Sequence, residues 1–303
     1  MGTIVEITLI GDDEESAREA ALQGFHEIKR IEQLMSPRID SSDVSKINRS
    51  AGKEWVKVSK ETIEVVLKAR EISEFSEGAF DITIGPLSHL WRIAREKREL
   101  PPSAEMRKGL ALIDFKAISA DSEGRVFLKK TEMAIDLGGI AKGYTVDQAF
   151  ELLRSLGYSN LIVNAGGDLR VGGLRFGQPW IIGIQDPRAS EKPMTRVEVT
   201  EAAIATSGDY ERFFLYRGKR YHHIINPKDS LPAETCQSAT IIGKDAMTVD
   251  ALTTAVFVLG GEKGYALCRR IGVDCLIVDK KGKVMVSPGL NRRIKHATSV
   301  MVQ

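Results

Sequence analysis

Between Thr3 and Ile10 apolar and polar residues alternate, the period of a strand with one buried face. The period then lengthens. From Glu14 to Leu34, Ala17, Ala21, Phe25, Ile28 and Ile31 fall on one face of an amphipathic helix. The stretch MSPRIDSSDVSKIN, residues 35–48, is dense in Ser and Asp and predicts a loop. Ser59 is placed to cap a helix that runs through Phe75 and is ended by Gly78. GAFDITIGPLSHLWRI predicts a glycine-marked loop entering a short helix. Residues 95–108, charged and interrupted by Pro101-Pro102, predict a solvated insertion.

A helix is expected from about Ala141 to Gly157, then the buried strand NLIVN and the tight turn AGGD. WIIGIQ, residues 180–185, reads as a strand, as does the region of RVEVTEAAIAT. FFLYRGKRYHHII predicts a hairpin turned at Arg217-Gly218. A helix from Met247 to Leu259, ended by Gly260-Gly261, precedes a short helix and the hairpin CLIVDKKGKVMVS, turned at Lys281-Gly282. SLGYSNLIVN and RIGVDCLIVD share a helix–glycine–strand form too short to establish a repeat. Helices and hairpins interleave without a visible boundary. The expected class is α+β, with mixed sheets flanked by helices in a single large domain over 1–303.

Length allows one large domain or two intimately packed ones. With 43% hydrophobic and 28% charged residues the chain has the composition of an ordinary globular protein. A net charge of +2 is too mild for a nucleic-acid or anionic-membrane partner. Cys236, Cys268 and Cys275 form no CxxC pair and read as small buried fillers. No run approaches the ~18 apolar residues of a membrane span. No signal peptide opens the chain, and an opening strand is compatible with a leader already removed.

Chemistry is suggested first by DLGGIAKGY, residues 136–144, which sets Asp136, glycines and Lys142 between the apolar lead Met133-Ala134-Ile135 and a helix. Glycines let the backbone approach a ligand closely, and a helix N-terminus offers N–H groups to a phosphate. A plain glycine turn fits those residues equally well. Asp250, Thr253 and Thr254 share one helical face, opposite the apolar Val249, Leu252, Val256 and Phe257. Their oxygens make a hard set suited to Mg²⁺ or Ca²⁺ rather than zinc. Taken alone, the plainer arrangement is preferred: threonines bonded back to helix carbonyls, with Asp250 as a cap. His222 and His223 are adjacent in a strand and face opposite sides, so they cannot chelate one metal together. Ser207 and Gly208 are expected on a turn beside Asp209 and Tyr210, as a polar pocket wall. NAGGD, residues 164–168, is either an anion-binding turn or a turn and nothing more. Neither a G-x-G-x-x-G after a strand, nor a P-loop, nor zinc spacing is present.

In order along the chain, LMS…SxxSxIN, GAFDITIGPL, DLGGIAKGY, NAGGD, ATSGDYERF, YHHIINP and DALTTAVFVLG resemble the ApbE family of flavin transferases. The resemblance runs from MGTIVEITL to KVMVSPGL and covers nearly the whole chain; any one motif is weak, and all of them in order are specific. It implies an ApbE-type, T-fold-like domain with room for two subdomains. It implies transfer of FMN from FAD to a threonine hydroxyl of a partner protein, with Mg²⁺ as the metal and AMP as the product that leaves. The family's metal positions fall on Gly139, Asp250 and Thr254, with Thr253 at or near that shell. Its FAD positions fall on Met35, Ala79, Phe80, Asp81, Asp136, Lys142 and Ile224. His222 or His223 would take the proton of the attacking hydroxyl. The implied acceptor is a subunit of a membrane redox complex, on the periplasmic or cell-envelope side. Neither leader nor anchor is visible here, which leaves a cytoplasmic setting open.

Three departures from the family pattern stand out. MSPRIDSS lacks the aromatic and Asp that more often follow MS. Asn226 stands where Asp is usual and is expected to form the same turn, and Ser230 stands where Gly is common. Hydrolysis of FAD to FMN and AMP would use nearly the same residues. A non-catalytic FAD carrier is a third reading, against which the intact Asp250/Thr254 pair argues.

Overall fold

In the computed structural model, which describes residues 2–189 and 191–295, helices alternate with short runs of strand. Strand β1 (Val5–Leu9) is followed by α1 (Glu14–Met35), α2 (Asp43–Arg49), β2 (Val56–Lys57) and α3 (Lys60–Phe75). Helices α4 (Gly85–Lys97) and α5 (Ser103–Ala111) precede β3 (Ile118–Ala120), β4 (Arg125–Leu128) and α6 (Ala141–Ser155). Then come β5 (Leu161–Ala165), β6 (Asp168–Gly172), β7 (Trp180–Gln185), β8 (Pro193–Val199) and β9 (Ala202–Gly208). The hairpin β10 (Phe213–Tyr216) and β11 (Lys219–His222) leads to β12 (Cys236–Gly243), α7 (Ala246–Leu259) and α8 (Gly261–Ile271). Strands β13 (Asp274–Asp279) and β14 (Val284–Val286), helix α9 (Pro288–Asn291) and β15 (Ile294–Lys295) follow.

A seven-stranded sheet, β1-β5-β6-β9-β12-β13-β14, is the frame. Successive strand residues point to opposite faces, which divides the core in two. On β9, Ala203 and Ala205 join the core on the helix side, while Ala202 and Ile204 join the other. Cys275 and Ile277 on β13 divide from Leu276 and Val278 in the same way. The first face is covered by α1, α6 and α7. The second packs on the sheet β15-β8-β7 through Trp180, Ile184, Val197 and Val199. The α+β class stands. Within it every named strand pair is antiparallel, so the sheets are not mixed in strand direction. One reason is local: Met133–Ile135 is not a strand, so no strand–helix–strand crossover forms through α6.

Three expectations are corrected by packing. The stripe that α1 buries is Ala20, Gly24, Ile28, Ile31 and Met35, and Phe25 is exposed. A Cβ on Gly24 would lie 2.8 Å from Ile7 Cδ1, so the helix crosses β1 on its glycine and turns Phe25 outward. The Ser/Asp-rich stretch 35–48 is not all loop. Ser42 caps α2 by accepting from Ser45 N (3.0 Å), and buried Asp43 accepts from Ser59 N (2.8 Å) and Thr62 Oγ1 (3.0 Å). A polar helix this short shows no readable period; Asp43 fixes it from α3. Residues 95–108 do face solvent, yet they are largely helical, closing α4 and opening α5.

Candidate active site

Helices α6 and α7 cap each other. Asp250 of α7 accepts at Oδ2 from Gly143 N (2.9 Å) in the first turn of α6. Asp147 of α6 accepts from Ala246 N (2.9 Å) and Met247 N (2.8 Å) in the first turn of α7. Unpaired N–H groups and the positive end of each helix favour both carboxylates. Burial still pushes Asp147 up to about 6, against those N–H groups and Arg170 at 2.9 Å. The helices meet at Gly143, where a Cβ would fall 2.1 Å from Ala246 O.

Asp250 thus keeps Oδ1 toward a cleft of about 1140 Å³, with Lys142 Nζ 4.0 Å away. Burial raises Asp250 above the usual carboxylate range, opposed by Lys142, and burial lowers Lys142. Lys142 also ion-pairs with buried Asp168. Thr254 Oγ1 stands 3.4 Å from the point a Cβ on Gly139 would occupy, so the DLGG turn meets α7 there. Thr253 takes no place in this group. It is fully buried, its Oγ1 donating to Asp250 O (2.7 Å) and accepting from Ser207 Oγ (3.0 Å). For Thr253 the plainer reading, a hydroxyl spent on its own helix, is the one that holds. A buried carboxylate with one oxygen outside the helix cap, beside a hydroxyl and a close main chain, makes a hard oxygen set that fits Mg²⁺. Among the described residues no three His, Cys, Asp or Glu side chains gather as a metal cluster.

The adjacent histidines differ, though not as two residues of one strand: β11 ends at His222, and His223 lies on the bend that follows. His222 is buried, with Nε2 donating to Ala233 O (2.9 Å), Nδ1 accepting from Ile224 N (3.3 Å) and Phe257 edge-on at 5.4 Å. A carbonyl can only accept, so the tautomer is set and both nitrogens are used. Burial lowers its pKa. Both histidines line the cleft, and His223 is the exposed one. Its ring is accessible from the cleft, yet protein surrounds it. That burial, with Arg212, His222, Arg95 and Lys142, pulls its pKa down to about 3. The hairpin carrying both is aimed by Tyr221, stacked between Trp91 (5.7 Å) and Phe214 (5.6 Å), while Trp91 Nε1 donates to Ser230 O (2.8 Å). Ser230 holds φ +65°, the left-handed turn that glycine adopts most easily. Asn226 accepts from Lys228 N (3.0 Å) and donates to Asp229 Oδ2 (2.7 Å), which makes the expected turn.

Met35, Ala79, Phe80, Asp136, Lys142 and Ile224 all line the cleft. Asp136 accepts at Oδ1 from Gly138 N (2.8 Å), and its Oδ2 has no bond among the described residues. Asp81 reaches the cleft wall with both oxygens already taken. Its Oδ1 accepts from Thr83 N (2.8 Å) and Thr83 Oγ1 (2.7 Å), and its Oδ2 from Phe115 N (3.0 Å). It braces the loop. The lead into DLGG is pinned by Asn48, which donates to Ile135 O (3.0 Å) and accepts from Ile135 N (2.8 Å) as a strand partner would. The NAGGD turn has little to offer an anion: Gly166 N donates to Ile4 O (3.0 Å) and Gly167 N to Asn164 Oδ1 (2.9 Å). Ser207 and Gly208 end strand β9 rather than forming a turn. Asp209 is gripped by Arg188 (2.7 Å at each oxygen) and Arg220 (3.1 Å).

The ApbE family model matches residues 1–277. The chain belongs to the ApbE family. A Klebsiella pneumoniae relative named FAD:protein FMN transferase is 34% identical over 291 residues, covering 95% of this chain and 89% of that one. Its Treponema pallidum namesake is 32% identical over 314 residues, covering 97% and 87%. Among solved structures, the ApbE protein of Thermotoga maritima superposes with a TM-score of 0.89 at 36% identity, over 97% of each chain. Flavin transferase ApbE from Vibrio cholerae gives 0.85 at 29% identity, over 97% and 96%. Membership places this chain among enzymes that transfer a group.

Sequence reasoning passed over Asp147, Asp168, Arg95 and Arg212. Asp147 carried a signal, a lone carboxylate among the core residues Val146, Ala149 and Phe150. Asp168 closes a motif read for its glycines, and Arg95 lies in the stretch taken for an insertion. Nothing local marked Arg212 as a neighbour of His223 in this ApbE cleft.

Proposed function

We propose that this protein moves the FMN half of FAD onto a threonine hydroxyl of an acceptor protein and releases AMP. The observation that carries the reading is one cleft lined by His223, Asp250, Thr254 and Gly139. The hydroxyl oxygen attacks the phosphorus of the FMN half. A new P–O bond forms as the bridging P–O bond to the AMP phosphate breaks, AMP keeps the bonding pair, and His223 takes the hydroxyl proton. Mg²⁺, held by the Asp250 and Thr254 side chains and the Gly139 carbonyl, would neutralise charge on the phosphoryl oxygens. His223 enters neutral, and the negative pyrophosphate beside it raises its basicity from the low value of the free cleft. Lys142, anchored by Asp168, adds positive charge near the same phosphates. Met35, Phe80 and Ile224 offer apolar surface to the flavin ring. His222 holds the strand that presents His223. By family resemblance the natural acceptor is a membrane redox subunit on the cell-envelope side.

Intact-mass spectrometry of a co-expressed threonine-bearing acceptor tests this. A gain equal to FMN, absent with Asp250→Ala, is the expected result. FAD cleavage without that gain means that water replaces threonine. FAD kept intact in the presence of Mg²⁺ means a carrier, and either outcome overturns the reading.

A further inference from the structure

Among the described residues nothing covers the edge of strand β7. It is the outer strand of β15-β8-β7, and its six residues, WIIGIQ, include no charge and no proline. Native sheets shorten, charge or cover such edges, because unpaired N–H and C=O groups invite another strand. The other edge strands among the described residues are all shorter: β14 has three residues, β15 has two including a lysine, and β1 has five including Glu6. On β7, Ile181 is 60% exposed.

The register shows where its backbone points. Glu198 N donates to Arg293 O (3.1 Å), so Glu198 turns its backbone groups toward β15 and away from β7. A residue in an antiparallel strand sends N–H and C=O to one side, and its neighbours send theirs to the other. Ile181, opposite Glu198, therefore points both groups away from β8, and so does Gly183, opposite Arg196. No partner for those groups exists among the described residues. Ile181 to Gln185 also line the cleft that holds His223 and Asp250. Glycine inside a strand commonly marks close approach by another backbone, and Gly183 sits at the middle of this edge.

We propose that the free edge of β7 captures the acceptor protein as an added β-strand, laying the segment that bears the reacting hydroxyl along the cleft. The proposal rests on the transfer reading above. Donors and acceptors repeating every second residue match a polypeptide backbone. Ile181 offers an apolar contact to an alternate side chain, and Gly183 leaves room for the chain. The cleft, about 1140 Å³, exceeds the roughly 300–1,000 Å³ of ordinary small-ligand pockets, which leaves space for a strand beside FAD.

Gly183→Pro against Gly183→Ala is the test. Proline removes the outward N–H, which the β7–β8 ladder does not use, and edge strands tolerate it. Either variant brings a Cβ to 3.3 Å from Pro193 Cβ, so alanine controls for that contact. The probe is a heptapeptide pool with a fixed central threonine and random flanks, given FAD and Mg²⁺ and read by flavin bound to peptide. Gly183→Pro should lower kcat/KM for the pool about tenfold or more, roughly one lost hydrogen bond, and Gly183→Ala less than about twofold. FAD affinity should be unchanged in both. If Gly183→Pro fails to fold, wild type is given the same pool with N-methylated backbones, and the same loss is expected. Equal labelling by wild type and Gly183→Pro, or of methylated and plain pools, overturns the proposal. So does a wild-type dimer that Gly183→Pro turns into a monomer, since the edge would then pair with a second copy. FAD cleavage by wild type with no peptide labelled sinks the transfer reading itself, and this proposal with it.

Discussion

Gly143→Ala should cripple the site by parting two helices. The new Cβ would lie 2.1 Å from Ala246 O, 2.5 Å from Ala246 C and 2.8 Å from Met247 N. All three are backbone atoms, so no side-chain rotation relieves the clash. Ordinary contact begins at 3.4 Å, so α6 and α7 must separate by about 1.3 Å. That strains the bond from Gly143 N to Asp250 and both bonds from α7 to Asp147. Overpacking of this kind costs about 1–3 kcal/mol, and hydrogen bonds to charged groups are worth about 1.5–3 kcal/mol each. With partial loss of those bonds, a destabilisation of about 2–5 kcal/mol is expected. Function should suffer more. Asp250 and Thr254 ride on α7 while Gly139 precedes α6, so the same separation opens the oxygen set. A misplacement of about 1 Å can cost about 10²-fold in rate. The assay is single-turnover FMN transfer across a Mg²⁺ titration, beside urea unfolding. Wild-type rate and Mg²⁺ dependence in a folded Gly143→Ala protein would refute the argument that this contact sets the site.

Four further outcomes follow from the same geometry. His223→Ala should cost about 10²–10⁴ in transfer rate with FAD affinity little changed, whereas His222→Ala should lower the urea midpoint; equal, undiminished rates would remove both from the chemistry. Thr254→Val should raise the Mg²⁺ requirement, while Thr253→Val should cost about 0.5–1.5 kcal/mol of stability and leave that requirement alone. Asp250→Asn can keep an oxygen on Gly143 N and so preserve the helix cap while losing the ligand's charge, whereas Asp250→Ala should lose cap and activity together; a fully active Asn variant would show that the charge is not needed. With His223 lowered to about 3 and its neutral ring the active form, kcat/KM for FAD should persist as pH falls through histidine's ordinary 6.5; an acid limb there that His223→Ala abolishes would contradict the shielding.

What the sequence made legible was settled locally. The hairpin at Arg217-Gly218 has φ of +50° and +77°, the left-handed pair that a two-residue turn needs. Strand β7 has the limits that WIIGIQ gave, because β-branched residues between Pro179 and Asp186 leave little choice. The Ser59 cap on α3 is as read. What failed depended on distant partners. Helix α2 needs α3 to supply Ser59 N and Thr62 to Asp43, and the buried face of α1 is decided by Ile7 against Gly24.

The site divides along the same line. Residue type and spacing named the groups able to do chemistry, and tertiary hydrogen bonding decided which of them stayed free to do it. His222 and His223 are identical in sequence terms; Ala233 O and Ile224 N take one ring, and the cleft keeps the other. Thr253 and Thr254 divide by degree, Thr253 Oγ1 donating to Asp250 O at 2.7 Å and Thr254 Oγ1 having Ser207 Oγ at 3.4 Å, and Asp250 divides between Gly143 N at Oδ2 and Lys142 4.0 Å from Oδ1. Asp81 and Asp209 resembled site carboxylates until Thr83, Phe115, Arg188 and Arg220 were seen to occupy them. The reactive group at each pair is the one the fold engages least, and leaving a buried polar group underused is costly. Asp250 shows how that cost is contained: one oxygen holds α6 against α7, and the same bond fixes the direction in which the other oxygen faces the cleft.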